Sequence, residues 1–469
     1  MIFSTPIFFV FFATFFVLYS FVFLRRTPRL LLILVASLVF YASWNYRFIP
    51  LLVFSAVVDY FLAIAIHNAS DTRRRKFLLG LSVATNLGIL GVFKYADFAL
   101  QSVHELVALF GYESNPYLLD LILPVGISFY TFQSMSYTID VYRREMEPRQ
   151  GLLQFTAALA FFPQLVAGPI LRARQILPQF ETLPVPTWSG AKHGFVLITI
   201  GLFKKTIADL LGEVAANTFD GSTQGMLETW TGVLAFAGQI YGDFSGYTDM
   251  AIGIGLILGF KIPLNFRLPY FASSPVDFWR RWHISLSSWL RDYLYISLGG
   301  NKKYRYRNVM ITMLLGGLWH GAAWTFVIWG LFHGCLVVAT QFLTHLSWLK
   351  PISYSRNWFV VLLKTMLTFH LVLIGWVMFR AGDMSSAMDI IASMHHLNSH
   401  VSGIDENSTL LLILVVSALV GMHLIDWVVL NFSGAIEKRR YLLWPLIVFF
   451  QFFGFLIGAP SDAFIYFQF

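Results

Sequence analysis

From residue 309 to residue 349 the chain carries no Asp, Glu, Lys or Arg, yet a histidine, His320, stands inside that stretch among small residues and tryptophans. Backbone amides in so long an uncharged run must satisfy one another, which a helix in lipid does and an open loop cannot. Composition extends the inference to the whole molecule. Hydrophobic residues make up 57% of the 469, charged residues 12%, and the mean hydropathy is +0.66, more apolar than a water-facing surface can accommodate. A single cysteine, Cys335, excludes an intrachain disulfide framework and offers no thiolate cluster for a metal. The net charge of +8 does not point to nucleic acid, because the basic residues fall in short clusters between apolar spans and report topology.

Candidate spans are residues 5–24, 30–45, 48–66, 77–93, 121–139, 152–167, 194–211, 230–260, 309–343, 358–379, 410–429 and 441–457. Two of these are long enough to be bent or double, so about eleven to thirteen transmembrane helices are expected at ~20 residues per crossing. Residues 1–24 lack a basic leader and a small-residue cleavage site, and read as a retained first span. Arg25, Arg26 and Arg29 follow that span, Arg73, Arg74, Arg75 and Lys76 occupy the third loop, and Arg143, Arg144 and Arg149 the fifth. Those loops are expected in the cytoplasm, which puts the N-terminus outside. Beyond residue 165 basic residues crowd the apolar segments, as re-entrant or interfacial helices would arrange them. With no linker and no repeat, one membrane domain over residues 1–469 is the simplest organisation.

Three segments carry polar chemistry. Residues 278–295 interleave Trp279, Trp282 and Trp289 with Arg280, Arg281, Arg291, His283 and Asp292. Read as one helix, they form either an interfacial anchor or a helix dipping into a cavity, with His283 at a reaction centre and Arg280 and Arg281 on the phosphates of an acyl carrier. Residues 241–249 set Asp243, Ser245, Tyr247 and Asp249 inside an apolar stretch. Buried carboxylates there need partners, and pairing with arginines elsewhere is as good a reading as catalysis. In residues 314–324, Gly316, Gly317 and Gly321 surround Trp319 and His320. Room for a chain, indole walls and one group titrating near neutrality suit a narrow acyl site. His333 reads as a structural, interhelical hydrogen-bonding residue.

At residues 123–130, 139–143, 166–169, 243–253, 278–287 and 314–321 the sequence resembles the membrane-bound O-acyltransferase (MBOAT) superfamily, in the AlgI-like branch that acetylates bacterial exopolysaccharides and has D-alanylating relatives. The resemblance implies an all-α polytopic membrane protein, an MBOAT-type ring of helices plus re-entrant and interfacial helices around a central tunnel. It aligns His320 with the catalytic histidine and His283 with the second characteristic polar residue. It also implies acetyl-CoA as donor substrate, held by Arg280, Arg281 and Trp319, with no permanently bound cofactor and no metal. Tyr466, in the aromatic C-terminus, is implied as an acyl relay, with an aromatic-belt role equally open. The expected setting is the bacterial inner membrane, among membrane lipids. A periplasmic SGNH-type acetyltransferase and a polysaccharide synthesis and export complex are the expected partners. Alginate members carry a long loop before the last span where this chain has only residues 431–440, so cellulose, peptidoglycan or another glycan stays open as acceptor. A transporter or flippase, or a scaffold of an export complex, is the competing function; a transporter of this kind would more often show paired repeats.

Overall fold

The structure is a computed structural model that describes residues 1–111, 115, 117–148, 151–221, 225–395 and 406–438, with side chains described as far as residue 431. The expected span 441–457 and Tyr466 lie outside the described residues. All regular structure among the described residues is helical. The chain packs as two compact units, residues 1–194 with 251–263, and residues 195–250 with those from 264 onward.

The first unit contains α1 Pro6–Val17, α2 Arg26–Asn45, α3 Ile49–Asn68, α4 Thr72–Leu90, α5 Ala96–Ala108, α6 Ile127–Tyr142, α7 Leu152–Leu159, α8 Phe162–Leu165 and α9 Ala173–Thr182. Proline in the first turn starts α1 and α3, where its missing N–H costs nothing. The Asp71 carboxylate caps α4 by accepting from the amides of Arg73 and Arg74. Phe162 of α8 is fully buried against the rings of Phe8, Phe11, Phe15 and Phe40, which ties α1 and α2 together.

α6 is polar and yet buried along almost its whole length, and its polar groups are used. The Asp59 carboxylate of α3 accepts from Ser134 of α6 at 2.5 Å, from Ser82 of α4 at 2.6 Å and from Asn86 of α4 at 2.7 Å. In lipid such side-chain bonds replace the driving force that water gives a soluble core. Two expected spans are drawn differently by the fold. The one at 121–139 is helical only from Ile127, after Gly126 takes a left-handed turn. The one at 152–167 is broken into α7 and α8, with Pro163 in the first turn of α8. Helix α5 was not anticipated, because its acidic residues masked its apolar face.

α10 Trp188–Phe219 and α11 Met226–Leu258 contain the positions at which the units divide. The second unit continues with α12 Pro275–Arg281, α13 Ile284–Trp289, α14 Arg305–His320, α15 Trp324–Leu343, α16 Lys350–Ser353, α17 Trp358–Arg380, α18 Met384–Met394 and α19 Glu406–Lys438. The expected span 309–343 is therefore double. α14 and α15 pack so closely at Gly317 and Gly330 that a β-carbon on Gly317 would lie 2.9 Å from the Gly330 Cα, the small-residue contact by which membrane helices associate.

Between α10 and α11 the carboxylates of 241–249 find their partners. Lys204 bonds Asp249 at 2.7 Å and also Asp426 of α19; Lys205 bonds Asp209 at 2.6 Å and Asp243 at 3.0 Å. The partners are lysines of α10, not the expected arginines. The Tyr241 hydroxyl donates to Asp426, closing the network.

Five helical stretches among the described residues, 26–68, 72–108, 324–343, 358–380 and 406–431, are long and apolar enough to cross a membrane. Their outward side chains include Phe54, Phe77, Leu363, Met366 and Leu414. Lipid is the solvent such a surface fits.

Candidate active site

Residues 264–284 fold back on themselves around the short helix α12. The Arg267 amide donates to the Arg281 carbonyl at 2.9 Å and the Ile284 amide to the Asn265 carbonyl at 2.8 Å, so the two strands of this turn run side by side. Ser274 caps α12, accepting from the Asp277 amide at 3.1 Å, and Pro275 begins it. The helix then stops. Trp282 is extended and His283 adopts a left-handed backbone, with φ of 43° and ψ of 56°, before α13 starts. A side chain in that region costs about 1–3 kcal/mol and persists only where the surroundings impose it.

This break corrects the reading of 278–295 as one helix. Trp282 and Trp289 do not lie along one face as a membrane anchor; both are buried in protein. Its consequence is to turn His283, fully buried, against Phe244 of α11, ring centroids 4.6 Å apart and nearly perpendicular.

His320 is the last residue of α14. Gly321 ends the helix by adopting an extended backbone, and its missing side chain leaves room for the Phe326 ring. The imidazole of His320 is 4% exposed and meets three aromatic rings almost at right angles: Trp319 at 5.1 Å, Trp329 at 5.1 Å and Phe379 at 5.5 Å. Trp319 also approaches His283, with centroids 6.0 Å apart. The structure thus brings His283, Trp319 and His320 together around one indole, from segments far apart in sequence.

The arginines divide. Arg281 pairs with Asp277 at 3.0 Å, one helical turn away, whereas Arg280 is exposed. His333 is buried beside Trp329 and Trp279, at 4.9 and 5.2 Å, and neither ring nitrogen bonds to another described residue. Aromatic packing holds it, not the interhelical hydrogen bond expected.

Sequence reasoning missed Asn265. Its side-chain oxygen receives the Ser285 amide at 3.0 Å and hydroxyl at 2.9 Å, and lies 3.2 Å from His283 Nδ1. An asparagine in a Pro-Leu-Asn-Phe run carries no motif, and only the fold puts it under a histidine eighteen residues away. Asp426 was missed as well, since one carboxylate near the end of an apolar helix looks like a boundary.

The sequence profile of the membrane-bound O-acyltransferase family matches residues 148–379. The chain is 44% identical over 372 residues to the probable alginate O-acetylase AlgI of Azotobacter vinelandii, covering 78% of this chain and 72% of the other. It is 37% identical over 434 residues to the peptidoglycan O-acetyltransferase of Helicobacter pylori, covering 85% and 80%. To the teichoic acid D-alanyltransferase of Bacillus subtilis it is 31% identical over 284 residues, covering 55% and 69%. The chain belongs to the membrane-bound O-acyltransferase family, and it is a membrane O-acyltransferase.

Proposed function

We propose that the chain moves an acetyl group from a cytoplasmic thioester, acetyl-CoA, across the bacterial inner membrane for O-acetylation of an exported polysaccharide, with His320 as general base. The observation that carries this reading is the setting of His320: a buried imidazole at the end of α14, walled by three aromatic rings, one of which, Trp319, also approaches His283. Excluding water protects a thioester from hydrolysis and strengthens each polar contact made to it.

His320 takes the proton of a hydroxyl, whose oxygen forms a bond to the thioester carbonyl carbon. The tetrahedral intermediate collapses, the carbon–sulfur bond breaks, and the proton passes from His320 to the departing thiolate. The carbonyl end of α14 carries a partial negative charge beside the ring that holds this proton. Trp319 walls the acyl group, and exposed Arg280 holds phosphates of the donor; Arg281, already paired with Asp277, orients the segment.

The hydroxyl is that of the acceptor or of Tyr466, which would then pass the acetyl group to a periplasmic SGNH-type partner within a polysaccharide synthesis and export complex. The relatives named for alginate and peptidoglycan support a glycan as the final acceptor. Topology follows the basic loops. Arg75, in the first turn of α4, donates to the Tyr142 carbonyl at the end of α6 at 2.5 Å, which supports a shared cytoplasmic side for the third and fifth loops and an N-terminus outside. The whole chain serves as one membrane domain.

Purified protein in liposomes, given acetyl-labelled acetyl-CoA on one face and a soluble oligosaccharide acceptor on the other, tests the donor. Time-dependent release of free thiol is expected, and complete indifference to acetyl-CoA contradicts it.

A further inference from the structure

We infer that Asn265 is a positioning residue that fixes the tautomer of His283, with the proton on Nδ1 and the lone pair on Nε2. The inference rests on the acyl-transfer reading only for what His283 then does; the tautomer follows from the hydrogen bonds.

A backbone N–H is a donor whose identity is certain. The backbone N–H of Ser285 points at the Asn265 side chain at 3.0 Å, so the atom it meets is the carboxamide oxygen. With the amide turned over, two donors would face each other. His283 Nδ1 lies 3.2 Å from that same oxygen. A bare Nδ1 would oppose lone pair to lone pair, so Nδ1 carries hydrogen and donates. A competing arrangement has the Ser285 hydroxyl donating to a bare Nδ1. That contact is longer, at 3.4 Å, and leaves the repulsion with the oxygen in place. Asn265 and His283 are both fully buried, shielded from bulk water. The left-handed turn at His283 and the backbone bond from Ile284 to Asn265 hold the pair in register.

A neutral imidazole with its proton on Nδ1 accepts at Nε2 and cannot donate there. His283 is thereby an acceptor for a substrate donor other than the hydroxyl whose single proton His320 takes, and the oxyanion draws its hydrogen bonds from another group.

The test is the 15N spectrum of ring-labelled histidine in the full-length protein held in nanodiscs, with His283→Gln to assign the signal. A protonated Nδ1 and bare Nε2 are expected. Asn265→Asp and Ser285→Ala should keep that pattern, since each retains the side-chain oxygen at 265, and Asn265→Leu should lose it. Thiol release should fall about 10–100-fold in kcat for Asn265→Leu at near-constant KM, the range such supporting bonds command, and recover in Asn265→Asp. A proton on Nε2 in the parent protein, or loss of the pattern in Ser285→Ala, overturns the inference. Should Asn265→Leu fail to fold, the parent spectrum and the other two variants still decide it. The spectrum does not depend on turnover, so an inactive His320 hypothesis and a wrong tautomer are separately visible.

Discussion

Lys204 of α10 and Asp249 of α11 meet at 2.7 Å inside the second unit, and the same ammonium holds Asp426 of α19. Two carboxylates thus depend on one cation that is 1% exposed. Lys204→Met should cost about 3–5 kcal/mol, because it strands buried charge. Thermal unfolding in detergent measures this. Adding Asp249→Asn and Asp426→Asn should return much of the loss, and a Lys204→Met protein as stable as the parent contradicts the pairing.

Gly317→Ala puts a methyl group 2.9 Å from the Gly330 backbone. Forcing α14 and α15 apart should cost about 1–3 kcal/mol, and should displace His320 at the end of α14. Gly382, whose β-position meets nothing within 4 Å, is the control: Gly382→Ala should leave abundance and melting unchanged.

Much of the fold was legible because bilayer crossing writes itself in hydropathy. The helices at 26–45, 49–68, 358–380 and 406–438 fall where apolar runs place them. Hydropathy could not show the breaks. Trp282 and His283 interrupt a segment with good helical spacing, and α7 and α8 divide a run that reads as one crossing. His320 and His283 were visible as polar residues in costly surroundings. Asn265 was not, since its meaning lies in a hydrogen bond across the turn and not in its neighbours along the chain.

Arg280 is exposed while Arg281 is paired, so the two should not behave alike. Arg280→Ala should raise the KM for acetyl-CoA about tenfold with kcat little changed, as loss of a charge-assisted bond to a distant phosphate does. Steady-state thiol release separates the parameters. An unchanged KM removes Arg280 from the donor site.

Tyr466→Phe removes one hydroxyl. If the phenol carries the acetyl group, this protein should fold and bind donor but transfer nothing onward, and mass spectrometry of the parent should find an acetylated Tyr466. Full transfer by Tyr466→Phe would leave His320 acting on the final acceptor directly.

The role of His320 as general base is the central claim. The O-acetyl content of the secreted polysaccharide, measured in cells carrying His320→Ala at matched protein abundance, tests it most directly. Loss of acetylation to background is predicted, a fall of about 100-fold or more for removal of a general base. Acetylation at the parent level would show that the buried imidazole beneath Trp319 is packing and not the base.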